Sequence, residues 1–576
     1  MAADELHTLA RLCGVELAYR DNFGRTRTAG PATLEAILTA MGVPCGTPAE
    51  RRQSLREVQA RREDRLLPEV TVIPPGARRL PLWLREPGEV RGEVVSDAGE
   101  RLGWMGPAAL TPGGRPRPAA AGGRRPAVLK LPYALATGYY DLKVEAAGDA
   151  GEEEGRTLLL VAPPRAYLPK PLEQGARWWG LNVPLYALRS PRNWGIGDFQ
   201  DLQELTRLAR EWGAAFVGVN PLHARPQQAH ADPSPYNPAS RLFLNFLYLN
   251  PESVPELQDA QEVRDLLAHP AFRAHVARLR QTPLVAFEAV HRLKHRVLRL
   301  LFKAFVRRHG LPSGPRTPRG EAFARFVARG GENPAKFALF QALGEFLGEA
   351  DWRRWPESYR HPAAPGSAAF ARRYPEDLAF HHYVQWLAAG QREEVWAEAS
   401  RAGLPFTLYQ DLALGAAAGG FETWAHPELF SQGAAMGAPP DAFNPKGQNW
   451  GLPPLIPSRL TESGYSLFRD TLRANLPPGG MLRLDHVMAL FRLFWIPPGL
   501  EPDQGAYVRY PAGDLLAVLA LESHRRRTLI IGEDLGTVAP RVRRELARRR
   551  VLSYRVFFFE RQADQSFPPQ IGRAHV

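Results

Sequence analysis

Two short apolar runs that end abruptly in charge constrain this chain more than any other feature. They are Met481-Leu482-Arg483-Leu484-Asp485-His486-Val487 and Leu529-Ile530-Ile531-Gly532-Glu533-Asp534-Leu535-Gly536. Each reads as a buried strand that delivers a carboxylate at its C-terminal end. In a parallel (β/α) barrel, side chains at that end of every strand line one shared pocket, where barrel enzymes do their chemistry. Two carboxylates facing each other across a sugar ring are what cleavage of a glycosidic bond requires. Arg483 lies two residues before Asp485 and therefore on the same strand face. A guanidinium there keeps a carboxylate ionised and oriented.

The same pattern extends on both sides of these runs. From about residue 170, strands alternate with helices, the signature of βα units. Trp179–Pro184 reads as a first strand and Asp198 to Trp212 as its helix, opened by acids that complement the helix dipole. Phe216–His223, Phe406–Asp411, the Asp485 and Glu533 runs, and Leu552–Phe559 supply five further strands. A long helical insertion, roughly 252–402, separates the second strand from the third, with amphipathic runs at Phe287 to Val306 and Phe380 to Trp396. The predicted class is α/β, a (β/α)8 TIM barrel of which about six units are present. Six units leave strand edges open, so the chain is expected to stop short of a full barrel. Its last residues, Ile571–Val576, read as the translation of a sequencing adapter and are set aside as a non-native tail.

Ahead of the barrel the composition changes twice. Residues 1–65 carry Leu6, Leu9, Ala10 and Leu12 at helical spacing and open a second helix at Pro31, and so predict a small helical unit. Residues 66–168 hold short strands separated by Gly and Pro, which predicts a small antiparallel sandwich. Within it Gly103 to Arg125, rich in Gly, Pro and Arg, is expected to be a loop. The barrel with its insertion then occupies 169–570.

Charge and motif content exclude several classes. The net charge of +13 comes from seven lysines and 66 arginines against 60 acids. The arginines are scattered over predicted helices beside Asp and Glu, as expected of solvated helix faces rather than a nucleic-acid groove. No apolar run is long enough to span a bilayer. The N-terminus shows no secretion signal, and two cysteines, Cys13 and Cys45, suit a reducing cytoplasm. His223 and His486 have no further ligand at metal-site spacing, so no metal is expected. Gly195-Ile196-Gly197 is too short for a phosphate loop, and Gly464-Tyr465-Ser466 lacks the later glycine of a nucleophile elbow. No residue pattern calls for a cofactor, and none speaks to oligomeric state.

Six stretches in a fixed order, two of them within the two carboxylate-bearing runs, carry a resemblance. They are Pro191-Arg192-Asn193-Trp194-Gly195-Ile196-Gly197-Asp198-Phe199, Asn220-Pro221-Leu222-His223-Ala224, Ser234-Pro235-Tyr236-Asn237-Pro238, Pro440–Gly451, Arg483–His486 and Gly532–Gly536. Together they resemble the 4-α-glucanotransferases (amylomaltases, or disproportionating enzymes) of glycoside hydrolase family 77, in the bacterial maltose-system type with an N-terminal extension. The resemblance implies transfer of α-1,4-glucan segments between maltooligosaccharides through a covalent glucosyl intermediate, with Asp485 as nucleophile and Glu533 as general acid/base. It implies that His486 contacts sugar, that Tyr236 stacks on it, and that Gln448 and Trp450 sit on a loop, beginning at Asp441, that shapes the acceptor side. Arg483, Asn193, Trp194 and Asp198 join them as candidate substrate-binding residues. His223 stands between a sugar contact and a structural histidine. Asp411 and Asp534 read as structural carboxylates behind the site. The resemblance places a third carboxylate on a seventh strand, beyond the last residue here, so the chain as it stands is expected to be inactive. An α-glucan hydrolase and a non-catalytic glucan-binding protein are the competing expectations.

Overall fold

The computed structural model describes residues 2–21, 23–85, 88–110, 124–148, 151–226, 232–431, 433–441, 443–536, 538–556, 564 and 566. The chain divides into two compact units. One comprises Met1–Pro169, Glu428–Arg473 and His486–Val576, and the other Lys170–Pro427 and Ala474–Asp485.

The second of these is built on parallel strands, Leu181–Val183, Val217–Val219, Tyr409–Leu412 and Met481–Leu484, paired side by side in that order. All of Val217–Val219 and Tyr409–Leu412 is buried, which is why these strands read as continuous apolar runs without alternation. Gly218 is required where it stands, because a Cβ there would lie 1.8 Å from Asn182 Oδ1. The first crossover helix, Phe199–Glu211, is opened by a capping box. Asp198 accepts from the backbone N–H groups of Gln200 and Asp201, and Asp201 accepts from that of Asp198.

The insertion after the second strand is helical, as expected. Phe287–His309 and Pro375–Ala402 are its longest helices. Val290, Val297, Leu298, Leu301, Phe302 and Phe305 form a stripe at helical spacing, packed on Phe380 and Tyr383. Lys294 lies within that stripe, fully buried. Its ammonium donates to the carbonyls of Leu247 and Leu249, and desolvation pushes its pKa down to about 8. The arginines are paired in the way the sequence suggested: Arg192 with Asp198 and Asp201, Arg241 with Glu422, and Arg299 with Glu345 and Asp377.

The other unit begins with helices Ala2–Leu12, Pro31–Ala40 and Pro48–Glu63, whose Leu6, Leu9, Ala10, Leu34, Ile37 and Leu38 are buried. Residues 70–161 form one seven-stranded sheet in the order 70–73, 151–161, 138–148, 88–96, 101–110, 125–130, 79–84. The outer strand 70–73 runs parallel to 151–161 and the other pairings are antiparallel. The strands of this expected antiparallel sandwich are joined through the ten-residue strand Arg101–Leu110, which pairs with 88–96 over Arg101–Ala108 and with 125–130 at Ala109 and Leu110, and strands on both sides of it share one buried core. That strand corrects the loop expected over Gly103–Arg125. Residues 103–110 and Arg125 are strand, because 103–108 pair with 88–93, 109–110 with 127–128 and Arg125 with Leu84, whatever their Gly and Pro content. The centre of that stretch, 111–123, lies outside the described residues.

The same unit carries the strands Leu529–Gly532 and Leu552–Ser553, paired in parallel, with helix Pro540–Arg548 between them. The last strand is shorter than the predicted Leu552–Phe559, and Phe557–Phe559 and Ile571–Val576 fall outside the described residues. Six parallel strands are thus present among the described residues, in the expected chain order. A four-stranded antiparallel sheet, in the order 448–449, 435–438, 492–496, 506–509, is an addition that periodicity did not announce.

Candidate active site

Parallel register assembles the carboxylate cluster of the Lys170–Pro427 unit. Asp411 is directly opposite Arg483, and Leu412 opposite Leu484. Because alternate residues share a face, Arg483 reaches both Asp411 beside it and Asp485 two residues on. Its Nη1 donates to Asp411 Oδ1 at 2.7 Å and Oδ2 at 2.8 Å, and its Nη2 to Asp485 Oδ1 at 3.0 Å. The Asp485 N–H donates to the Leu412 carbonyl at 3.1 Å, so the residue is fixed at the strand end by main chain as well. Tyr236 donates its hydroxyl to Asp411 Oδ2 at 2.7 Å.

Burial separates the two aspartates. The side chain of Asp411 is 9 % exposed and that of Asp485 23 %, so Asp485 is the one an incoming atom can reach. Desolvation raises the pKa of Asp411, against the pull of Arg483 and the Tyr236 hydroxyl. Arg483 is also desolvated, but Asp411 and Asp485 outweigh that and hold it more firmly protonated than a free arginine. Tyr236 is raised well above its usual range, first by burial and then by the Asp411 charge, and so stays a neutral donor. Asp411, expected as a structural carboxylate behind the site, ties Tyr236 to Arg483 there. The available signal was its place at a strand end, the position Asp485 holds on its own strand.

In the other unit the strand Leu529–Gly532 presents Glu533. Glu533 Oε2 accepts from the His486 N–H at 3.0 Å and Oε1 from the Leu535 N–H at 2.6 Å, while its carbonyl accepts from Val487 N–H at 3.0 Å. His486 adopts a left-handed conformation, φ 48°, which costs a non-glycine residue about 1–3 kcal/mol unless its surroundings hold it. The bonds of residues 486 and 487 to Glu533 hold it. Gly532 permits the approach, since a Cβ there would lie 2.9 Å from the Val487 side chain.

Trp450 packs edge-on against the His486 ring at 5.2 Å, and its indole N–H donates to Gln448 Oε1 at 3.2 Å. Asp441 Oδ1 accepts from the backbone of Phe443 and Asn444, so its side chain shapes the loop. Asp534 is buried and receives Ser553 Oγ, the Tyr554 N–H and Arg543. It anchors the next strand through Ser553 and Tyr554.

Asn193, Trp194 and Asp198 are all buried, at the start of the first crossover helix. Asn193 donates to Asp201 Oδ2 and the Leu188 carbonyl, Trp194 to Glu252, and Asp198 receives Arg192 on both oxygens. Their polar atoms hold a turn together. His223 is buried, and its Nε2 accepts from the Ala413 N–H at 3.2 Å. That bond supports the turn just after Asp411.

The comparison with known families decides the identity: residues 183–575 match the model of glycoside hydrolase family 77, described as 4-alpha-glucanotransferase. The chain belongs to this family. It is 36 % identical over 598 residues to the 4-alpha-glucanotransferase of Mycobacterium tuberculosis (strain ATCC 25618 / H37Rv), covering 98 % of this chain and 76 % of that protein. It is 38 % identical over 450 residues to the enzyme of the same name from Haemophilus influenzae, covering 77 % of this chain and 63 % of that one. The crystal structure of amylomaltase from Corynebacterium glutamicum superposes with a TM-score of 0.80 at 28 % identity, over 98 % of this chain and 76 % of that one. Amylomaltase from Streptococcus agalactiae in complex with acarbose shares the fold, with a TM-score of 0.57 at 20 % identity, over 67 % of this chain and 74 % of that one. The family and the α/β architecture read from the motifs are therefore borne out. Among the described residues no cluster of His, Cys, Asp or Glu could hold a metal ion. No helix among them is long and apolar enough to cross a membrane.

His223 and His486 of this 4-alpha-glucanotransferase are kept neutral. Desolvation pushes His223 down to about 3, with Arg241 adding to it, and His486 down to about 4. A histidine with a depressed pKa takes up its proton on unfolding, so the unfolded chain binds more protons below about pH 6.5. The stability it gives is complete above that pH and is lost as pH falls toward the folded value. For buried His223 the slope approaches about 1.4 kcal/mol per pH unit. His223→Asn should flatten the pH dependence of the urea unfolding midpoint between pH 6 and 4.5. An unchanged slope would show that His223 is not held neutral.

Proposed function

We propose that the chain moves α-1,4-glucan segments between maltooligosaccharides by double displacement, with Asp485 as nucleophile and Glu533 as acid/base. The observation that carries this reading is the Arg483 bridge, which ties the Asp485 carboxylate to a guanidinium and aims it while leaving it the more open of the two aspartates. An Asp485 oxygen attacks the anomeric carbon of the donor as the bond from that carbon to the departing 4-oxygen breaks. Glu533 gives that oxygen its proton. The covalent ester then yields to the 4-hydroxyl of an acceptor, whose proton returns to Glu533 as the new glycosidic bond forms. A retaining reaction of this kind needs the two carboxyl groups about 5–5.5 Å apart.

Transfer rather than hydrolysis follows when an acceptor sugar outcompetes water. Trp450 and Gln448, bonded to each other and packed on His486, give the acceptor side an aromatic face and a polar edge. Holding the acceptor there supplies a large effective concentration, and the half-exposed ring of Tyr236 offers a second sugar platform. The reaction asks for no cofactor, metal or nucleic acid. We assign it to the cytoplasm, in keeping with two cysteines that are not joined in a disulfide.

Incubation with maltotriose tests the reading. Glucose and a ladder of longer oligosaccharides should appear while total reducing ends stay constant. Rising reducing ends would make the chain a hydrolase, and binding without turnover would bear out the expected inactivity of the chain as it stands and leave it a glucan-binding protein.

A further inference from the structure

The N-terminal helical unit reaches the loop of Gln448 and Trp450 through an unbroken hydrogen-bonded sheet. Residues 14–16 add themselves to the free edge of strand Ala506–Arg509. Val15 bridges Val508 in antiparallel fashion, the Glu16 N–H donates to the Tyr507 carbonyl at 2.8 Å, and the Arg509 N–H donates to the Gly14 carbonyl at 2.9 Å. From 506–509 the ladder passes to 492–496, then to 435–438, then to Gln448–Asn449 at the opposite edge. The Trp450 N–H donates to the Met436 carbonyl at 2.9 Å, which carries the ladder one residue further. Gly437 lets the last two strands close up, since a Cβ there would lie 2.1 Å from the Gln448 carbonyl oxygen.

Side chains lock the added edge. The Glu16 carboxylate, 8 % exposed, receives Arg492 Nη1 at 2.7 Å and Arg509 Nε at 3.2 Å, one arginine from each of the two strands beside it. Tyr19 completes an edge-on aromatic trio with Phe494 and Tyr507, centroids 5.1–5.5 Å apart, and Arg492 lies over the Tyr507 ring at 3.8 Å. Thr33, on the second helix, donates to the Gln504 carbonyl. A strand added at one edge restricts the twist and slide of a sheet through every rung of backbone hydrogen bonds. A buried carboxylate spanning two strands fixes their relative register.

We infer that the N-terminal unit sets acceptor binding: strand addition at residues 14–16, locked by Glu16 as a positioning residue, holds Gln448 and Trp450 where they receive the acceptor maltooligosaccharide. This rests on the proposed function for the chemistry of the ligand, but the mechanical link stands on its own. Glu16→Ala releases both arginines from the edge. Glu16→Gln keeps an oxygen that can accept from one of them and should fall between the alanine variant and the parent.

The test combines amide hydrogen exchange with acceptor kinetics on the full chain, below the melting temperature of each variant. For Glu16→Ala, exchange should quicken across 435–438 and at the Trp450 amide. The KM for a maltooligosaccharide acceptor should rise about tenfold with kcat nearly held, as expected when a binding surface is displaced by a fraction of an ångström. A larger share of glucosyl groups should also go to water. Faster exchange confined to residues 1–65 and 506–509, with an unchanged acceptor KM, would overturn the inference and leave Glu16 a purely structural ion pair. If the parent chain gives no ladder from maltotriose, the proposed function fails, and the exchange pattern alone decides whether residues 14–16 hold the loop.

Discussion

In the Asp485→Asn variant, transfer from maltotriose falls by about 10⁴-fold or more, the range seen when a group that forms the covalent intermediate is removed. The substitution is nearly isosteric, and Arg483 keeps its two bonds to Asp411, so the fold is retained and sugar binding survives. What is lost is a carboxylate able to form an ester with the anomeric carbon. The carboxamide cannot take that place, because its oxygen carries no full negative charge to meet the developing oxocarbenium ion. Unaltered turnover would remove Asp485 from the chemistry and with it the role of the Arg483 bridge. Equal losses of binding and turnover would point to a collapsed site and would be visible in the melting temperature.

Arg483→Met carries the second large effect, on stability as well as on rate. Asp411 is buried and makes two bonds to this guanidinium. Taking the cation away leaves a carboxylate in low dielectric with the Tyr236 hydroxyl as its remaining side-chain donor. Removing one partner of a buried pair typically costs about 3–5 kcal/mol. Burial already raises the pKa of Asp411 against the pull of Arg483, so in the variant it rises further and the group takes up a proton nearer neutral pH. Adding Asp411→Asn should then restore a good part of the stability, because the unpaired charge has gone, while activity stays low because Asp485 still lacks its cation. Chemical denaturation of the two single variants and the double variant checks this as a thermodynamic cycle. A strictly additive cycle would mean that the two side chains do not act on each other.

Much of this site was legible in the sequence for a simple reason. A strand buried on both faces leaves its polar residues nowhere to go but its ends, so Arg483, Asp485 and Glu533 stand out from their apolar runs. Capping chemistry is equally local, and Asp198 was identified at the start of the helix it caps. Other features depend on which strands become neighbours. Asp411 looked like an ordinary strand-end acid until the register placed it opposite Arg483. The 103–110 segment looked like loop from its composition until two flanking strands took up its hydrogen bonds. The left-handed turn at His486 and its bond to Glu533 lie beyond any reading of residue type. The antiparallel sheet that holds Gln448 joins stretches separated by tens of residues and reaches back to Glu16, a distance over which periodicity carries no information.

The most direct measurement is to trap the ester. With Glu533→Gln the proton donor is lost, so a donor that needs no protonation to depart, such as an α-maltosyl fluoride, should load the enzyme while breakdown of the ester is slowed. Digestion and mass spectrometry should then find one maltosyl group on the peptide containing Asp485, and none when Asp485→Asn is added. A label on Asp411, or fluoride release with no label on any peptide, would contradict a nucleophilic role for Asp485.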